Sequence, residues 1–385
     1  MALGACPEAR QADVSPEQRR ETILRSWRDK KPEAAPLLPA EAAWTRTLPA
    51  AAAAAGAMDD QRVYVPLRDA SFVALDRETG ATAWMRSMQA VTGPTVGDGQ
   101  VYVVTAGAIH SLEPASGQDR WSTVLESAVT APLVLDSGLL IAMTAAGDVV
   151  ALRATDGQVM WRRSVGAGSA HSVVASGDGA LYVSLSDSRL VALALDTGEI
   201  AWEQRLTGTL SEPAAARDRV FVGSTDNFLY AFHRNGRFEW KWRNGGDVIG
   251  IATEGDVVYV ASLDNIIRAV NRGNGNQRWK KSTVTRPTFP PRTIGGTVVL
   301  AGIKPAISTF VGTTGEAQGT FAAGGEPIGA PLIDTDLKPF RVALVTITRE
   351  GLVEALRPLG MTFRETAPGP IRALPGRALA RDRLQ

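Results

Sequence analysis

Seven tryptophans return along this chain at nearly constant intervals, and no other feature restricts its fold as tightly. Trp44, Trp84, Trp121, Trp161, Trp202, Trp240 and Trp279 are separated by 40, 37, 40, 41, 38 and 39 residues, and only Trp27 and Trp242 fall outside the series. A period of this length belongs to helical arrays or to propeller blades and is too long for a leucine-rich repeat.

The residues between the tryptophans choose between the two. Each unit carries a short β-rich run, such as Val63-Tyr64-Val65, Val101-Tyr102-Val103, Leu181-Tyr182-Val183, Val220-Phe221-Val222 or Val257-Val258-Tyr259-Val260. A polar turn and an alternating stretch follow, as in Phe72-Val73-Ala74-Leu75-Asp76. β-branched and aromatic residues bounded by Gly, Asp, Asn and Ser signal strands, and no helical period survives across a unit. About four short strands fit in one repeat, the size of a propeller blade.

Gly80, Gly117, Gly157, Gly198, Gly236 and Gly275 each lie four residues before a repeat tryptophan. Each follows a short polar residue: Thr79, Ser116, Asp156, Thr197, Asn235 or Asn274. Glycine at a fixed offset implies a hairpin turn needing positive φ, with the polar neighbour bonding the turn backbone. The unit resembles the tryptophan-docking repeat of PQQ-like β-propellers, Ala-x-Asp-x-x-Thr-Gly-x-x-x-Trp. Ala74, Asp76, Thr79, Gly80 and Trp84 match every fixed position. Ala192, Thr197, Gly198 and Trp202 match four, and Ala269, Gly275 and Trp279 match three. The resemblance implies that each indole is a structural docking residue stacked between neighbouring blades. The absence of any Trp-Asp dipeptide sets the chain apart from WD40 propellers.

Six full units end at Trp84 through Trp279. A seventh runs from Val298 to about Phe321, with Gly319 where its tryptophan would stand, and an eighth begins at Arg341 and lacks a following tryptophan. Trp44 has a strand, Trp44 to Leu48, but no blade before it. The fold expected is therefore all-β: an eight-bladed β-propeller of four-stranded antiparallel blades, closed by an N-terminal strand pairing with the C-terminal blade. Such closure removes free sheet edges. The expected organisation is a tether over 1–41, a propeller over 42–360 and a flexible tail over 361–385. Within the tether, Ser15 to Trp27 reads as a short helix, with Ser15 as N-cap, Pro16 at the first position and Gln18 completing a capping box.

The chain has 41 basic and 40 acidic residues, so no basic stripe points to nucleic acid. No run of 18 apolar residues spans a membrane. His110, His171 and His233 are widely spaced, without HxH or HExxH patterns, so no metal site is expected. Cys6 is the sole cysteine, which forbids an intrachain disulfide. Leu3-Gly4-Ala5-Cys6 resembles a bacterial lipobox, which makes Cys6 a candidate lipid attachment site. The location expected is the periplasm with an outer-membrane anchor, or the cytoplasm if Met1 is the true start and no signal exists.

The resemblance also raises a PQQ-dependent dehydrogenase. Such enzymes carry a vicinal cysteine pair and a calcium site, and a single cysteine cannot supply that pair. Asp226-Asn227 and Asp264-Asn265, the nearest acid/amide pairs, fall at hairpin tips where Asx residues make good turns. No nucleophile elbow, phosphate loop or paired His/Asp constellation appears. No catalytic residue, cofactor or metal is therefore expected. In length, repeat type and lipobox the chain is similar to the BamB family, periplasmic lipoproteins that assist outer-membrane β-barrel assembly by binding the central assembly protein. The function expected is a non-enzymatic, monomeric scaffold for a protein partner, the outer-membrane assembly machinery if the likeness holds. A dehydrogenase relative and a ligand-binding or sensor propeller stay open as alternatives. Two segments break the repeat and are candidate partner contacts: Arg286, Phe289 and Arg292 in a Pro-rich loop, and the extra indole Trp242. Both readings stand beside a plainer one, in which the prolines shape a loop and Trp242 packs the blade.

Overall fold

The computed structural model describes residues 37–167, 174–175, 179–334 and 341–359. Cys6, the 15–27 helix, His171, most of the tether and the tail after Leu359 lie outside the described residues. The described residues form eight four-stranded antiparallel sheets. β1 (Ala40–Thr47) comes first. Blade 1 then follows from the channel outward as β2 (Ala57–Met58), β3 (Arg62–Pro66), β4 (Ser71–Asp76) and β5 (Thr82–Ser87). Blades 2 to 7 repeat this order over 95–124, 134–164, 174–205, 214–243, 248–282 and 292–322.

Blade 8 takes only three strands from the C-terminal region, Leu332–Ile333, Leu344–Ile347 and Leu352–Pro358; β1 supplies the outermost strand. Ala40 pairs with Pro358, Trp44 with Ala355 and Thr47 with Leu352, with a bulge between Ala42 and Trp44. The N-terminal closure expected from the orphan Trp44 is thus present. β1 starts at Ala40, and Leu37 and Leu38 ahead of it are already buried, so the ring begins earlier than residue 42.

The core is divided into eight apolar clusters, each shared by two neighbouring blades. Val63, Val65 and Val73 of blade 1, for example, meet Val342, Val345 and Val353 of blade 8. This explains the unbroken apolar runs. A middle strand is covered on both faces, as in β3 and β4, while the outer strand β5 alternates between half-buried and exposed. The antiparallel order sends the first and third turns of blades 1 to 7 to one face of the ring. The second turns and the inter-blade links share the other, the linker face.

Candidate interaction surfaces

Each repeat tryptophan leaves its outer strand and covers the glycine turn of the next blade. The indole N–H of Trp84 donates to the Pro114 carbonyl at 2.8 Å, three residues before Gly117. Trp44, Trp121, Trp161, Trp202, Trp240 and Trp279 donate in the same way to the carbonyls of Arg77, Ala154, Leu195, Arg234, Arg272 and Gly312. On its other side the indole of five of these tryptophans tilts over an aromatic ring of its own blade. The pairs Tyr64–Trp84, Tyr102–Trp121, Tyr182–Trp202, Phe221–Trp240 and Tyr259–Trp279 have centroids 5.7–6.0 Å apart and planes at 41–43°. Tilted pairs at this separation suit the ring quadrupole.

The turn is built to receive the ring. In blade 1, Asp76 accepts from the Thr79 hydroxyl at 2.7 Å and from the N–H groups of Thr79 and Glu78. The Thr79 hydroxyl, with those backbone donors and against a smaller effect of burial, holds the Asp76 carboxyl below the usual carboxylate range. A Cβ on Gly117 would lie 2.7 Å from Trp84 Cε3, and its φ is 71°, so both space and conformation demand glycine. Gly99 in the same blade has φ 68° but nothing within 4 Å of its would-be Cβ. Gly99→Ala is therefore expected to cost about 1–2 kcal/mol of conformational strain alone. Gly117→Ala is expected to cost about 1–3 kcal/mol more for displacing the ring. Urea unfolding of the two variants measures the difference; equal costs would mean the indole does not depend on the turn.

The sequence reading missed a second inter-blade tie. The residue two beyond the tryptophan reaches the carbonyl of the same glycine: Arg46 to Gly80, Arg86 to Gly117, Thr123 to Gly157, Arg163 to Gly198 and Gln204 to Gly236. Donor side chains at one offset were the available signal. Trp242 occupies this position in blade 5. Its half-buried ring packs on the core shared with blade 6, and the Arg268 guanidinium lies 6.0 Å from the ring centroid. Arg268 is itself buried and paired with Asp264. Burial opposes ionisation of Asp264, but Arg268 and the Ser262 hydroxyl outweigh it and hold its carboxyl low. Asn227 and Asn265 take positive φ, 68° and 60°, at the second-turn tips.

The Pro-rich segment stands apart from Trp242, in the link from blade 6 to blade 7. Pro287 bridges to Gly302, and Pro290 sits where a Cβ on Gly250 would be. Phe289 is half-buried against the core between blades 7 and 8. Arg286 and Arg292 are exposed. Arg292 borders a cleft of about 310 Å³ among the inner strands of blades 4 to 7.

The seventh junction differs from the expected one. Gly319 pairs with Thr309 at the register of the missing tryptophan, and a Cβ there would lie 2.9 Å from Leu38 Cβ. Blade 8 has no third turn for an indole to dock on, because the chain enters and leaves there. Leu37 and Leu38, 1% and 4% exposed, fill the space. Next to it, at the seam between blades 8 and 1, Arg77 is buried and paired with Asp334, and donates to the carbonyls of Val342 and Asp59. Glu78 pairs with Arg341 and Arg357 at 3.2 and 3.4 Å.

A cavity of about 620 Å³ opens beside this seam, bordered by Asp59, Asp60, Arg62, Arg77, Glu113 and Asp334. Most of its charges are already engaged. Asp59 accepts from the Tyr64 hydroxyl at 2.6 Å, and burial, helped by Asp59, pushes the Tyr64 phenol up. Glu113 pairs with Arg120. Among the described residues no group of three or more His, Cys, Asp or Glu side chains could hold a metal ion.

The family model described as outer membrane protein assembly factor BamB matches residues 39–172 and 145–299. The outer membrane protein assembly factor BamB of Moranella endobia (strain PCIT) is 24% identical over 200 residues, covering 46% of this chain and 52% of that protein. The chain spans about half or less of the length of the curated relatives it matches. Among solved structures, BamB from Moraxella catarrhalis superposes with a TM-score of 0.68 at 17% identity, over 83% of this chain and 99% of that one. The quinohemoprotein alcohol dehydrogenase ADHIIG from Pseudomonas putida HK5 superposes with a TM-score of 0.64 at 14% identity, over 89% and 80%. Both likenesses show the ring fold alone.

Proposed function

The chain belongs to the family of the outer membrane protein assembly factor BamB, and from that premise we propose that it is a non-enzymatic, single-chain scaffold that binds the outer-membrane assembly machinery in the bacterial envelope. The observation that carries this reading is the family match across 39–299, which includes most of the ring. It is supported by where the distinctive residues go. The tryptophans, turn glycines and Trp+2 donors are engaged in holding blades together, leaving a rigid frame whose loops are free to bind. Arg286 and Arg292, both exposed, and Phe289 beside them are the contact candidates on that frame. Trp242 is a weaker candidate, since its ring is half-buried under Arg268. In the same reading Cys6 carries a lipid and the N-terminal tether ahead of the ring holds it to the outer membrane.

One experiment tests both parts. In fractionated cells the tagged full-length chain is expected in the outer-membrane fraction, and Cys6→Ser in the soluble periplasm. Affinity capture from the detergent-solubilised outer membrane is expected to enrich the barrel-assembly machinery at least about tenfold over an unrelated tagged lipoprotein, an affinity difference of about 1.4 kcal/mol. Equal recovery would end the assembly reading. An unchanged location for Cys6→Ser would end the lipid-anchor reading.

A further inference from the structure

Large exposed apolar side chains are scattered over most of the ring. Met85, Val124, Val159, Met160, Ile200 and Phe238 lie on or beside the outer strands of five blades. Val284 and Ile303 are different. They are 56% and 53% exposed, and their loops are tied together on the linker face. The Ile303 N–H donates to the Arg286 carbonyl at 3.0 Å, and the Lys304 N–H to the Thr285 hydroxyl at 2.9 Å. Thr283 in turn donates to the Thr285 carbonyl at 2.7 Å. The link from blade 6 and the second turn of blade 7 thus form one braced corner. Gly302 at its centre cannot be enlarged, because the Arg286 carbonyl occupies the place of a Cβ.

The corner also carries charge without an opposite partner. Arg286 and Lys304 are exposed and enter no ion pair among the described residues. Many other arginines of the ring are neutralised locally, as Arg349 is by Glu326 and Arg272 by Asp218. Two β-branched apolar side chains held on fixed loops beside two unpaired cations favour a ligand that offers apolar groups and carboxylates together. Burial of the apolar pair supplies affinity, and the cations select the sign of charge. Arginine is also a residue type enriched at binding hot spots.

We propose that the blade 7 corner formed by Val284, Arg286, Ile303 and Lys304 docks an acidic segment of a partner protein that carries apolar side chains. The proposal rests on reading the chain as a protein-binding ring, and its test is separable from that reading. The probe is a fluorescein-labelled peptide alternating Glu with Val and Ile, compared with the same peptide carrying Lys for Glu. Fluorescence anisotropy with the full chain is expected to show at least tenfold tighter binding of the acidic peptide, weakening as salt is raised. Arg286→Glu/Lys304→Glu is expected to lose that preference. Val284→Ser/Ile303→Ser is expected to weaken the acidic peptide about tenfold while keeping its preference over the basic one. These side chains are exposed, and unchanged melting temperatures confirm that the variants fold. Equal binding of the two peptides, no binding of either, or an acidic preference that survives the charge reversal overturns the corner. Capture of the assembly machinery that persists in the charge-reversed variant would also overturn it, while leaving the scaffold reading intact.

Discussion

A chain lacking residues 37–47 is expected to lose cooperative unfolding altogether. The deletion removes the outermost strand of blade 8, the Leu37 and Leu38 plug over Gly319, and the indole that Trp44 places on Gly80. Truncating one buried leucine costs about 2–5 kcal/mol, and one large aromatic about 3–5 kcal/mol. Three such losses approach the whole stability of a typical domain, about 5–15 kcal/mol. The Leu352–Pro358 strand would also be left with an open edge, which favours aggregation. Circular dichroism melting and size exclusion check the result. Two point variants make the same test in a chain that still folds: Leu38→Ala and Trp44→Ala should each lower stability by the single-residue amounts above. A truncated chain that melts cooperatively at the parent temperature would show that the ring does not depend on β1.

Arg77→Met is expected to destabilise the chain by about 3–5 kcal/mol, because it leaves Asp334 buried without its guanidinium. It also removes the donors to the Val342 and Asp59 carbonyls. The Trp44 hydrogen bond, which ends on the Arg77 main-chain carbonyl, should survive. Adding Asp334→Leu should restore much of the loss, since the second change removes the buried carboxylate that had lost its guanidinium. Urea midpoints of the parent, the two single variants and the double variant form the required cycle. A cost for Arg77→Met below about 0.5 kcal/mol, the usual size of a surface change, would show that the pair is not buried in solution.

These two seams mark the limit of what the sequence discloses. The Trp84-type spacing and the Gly80-type offset repeat, and repetition reveals a residue whose role is the same in every blade. Asp76 and Thr79 were legible for that reason. Arg77 stands in a variable position of the same turn, and its partner Asp334 comes from the other end of the ring, so no local pattern connects them. Gly319 could be read as a missing tryptophan, but its replacement by Leu38 could not. The plug lies outside the repeat and acts by filling volume where a turn is absent. The Trp+2 donors were accessible in principle. Their chemical variety, Arg in three blades and Thr or Gln in others, concealed a shared bond to the glycine carbonyl. The break at Trp242 was visible too, though its environment under Arg268 depends on two blades meeting.

The pairing of Ala40 with Pro358 also sets the order in which this molecule can be completed. During synthesis blades 1 to 7 can condense one after another, because their strand pairs are close in the chain. The closing strand emerges first yet must wait for Leu352–Pro358, which emerges last. Its contacts have the highest sequence separation in the fold, and the entropy of closing so large a loop is met only at the end. An incomplete chain therefore displays β1 without its strand partner. That exposed strand distinguishes an unfinished ring from a finished one, and a protease or chaperone that reads extended apolar segments can act on it before the last blade forms.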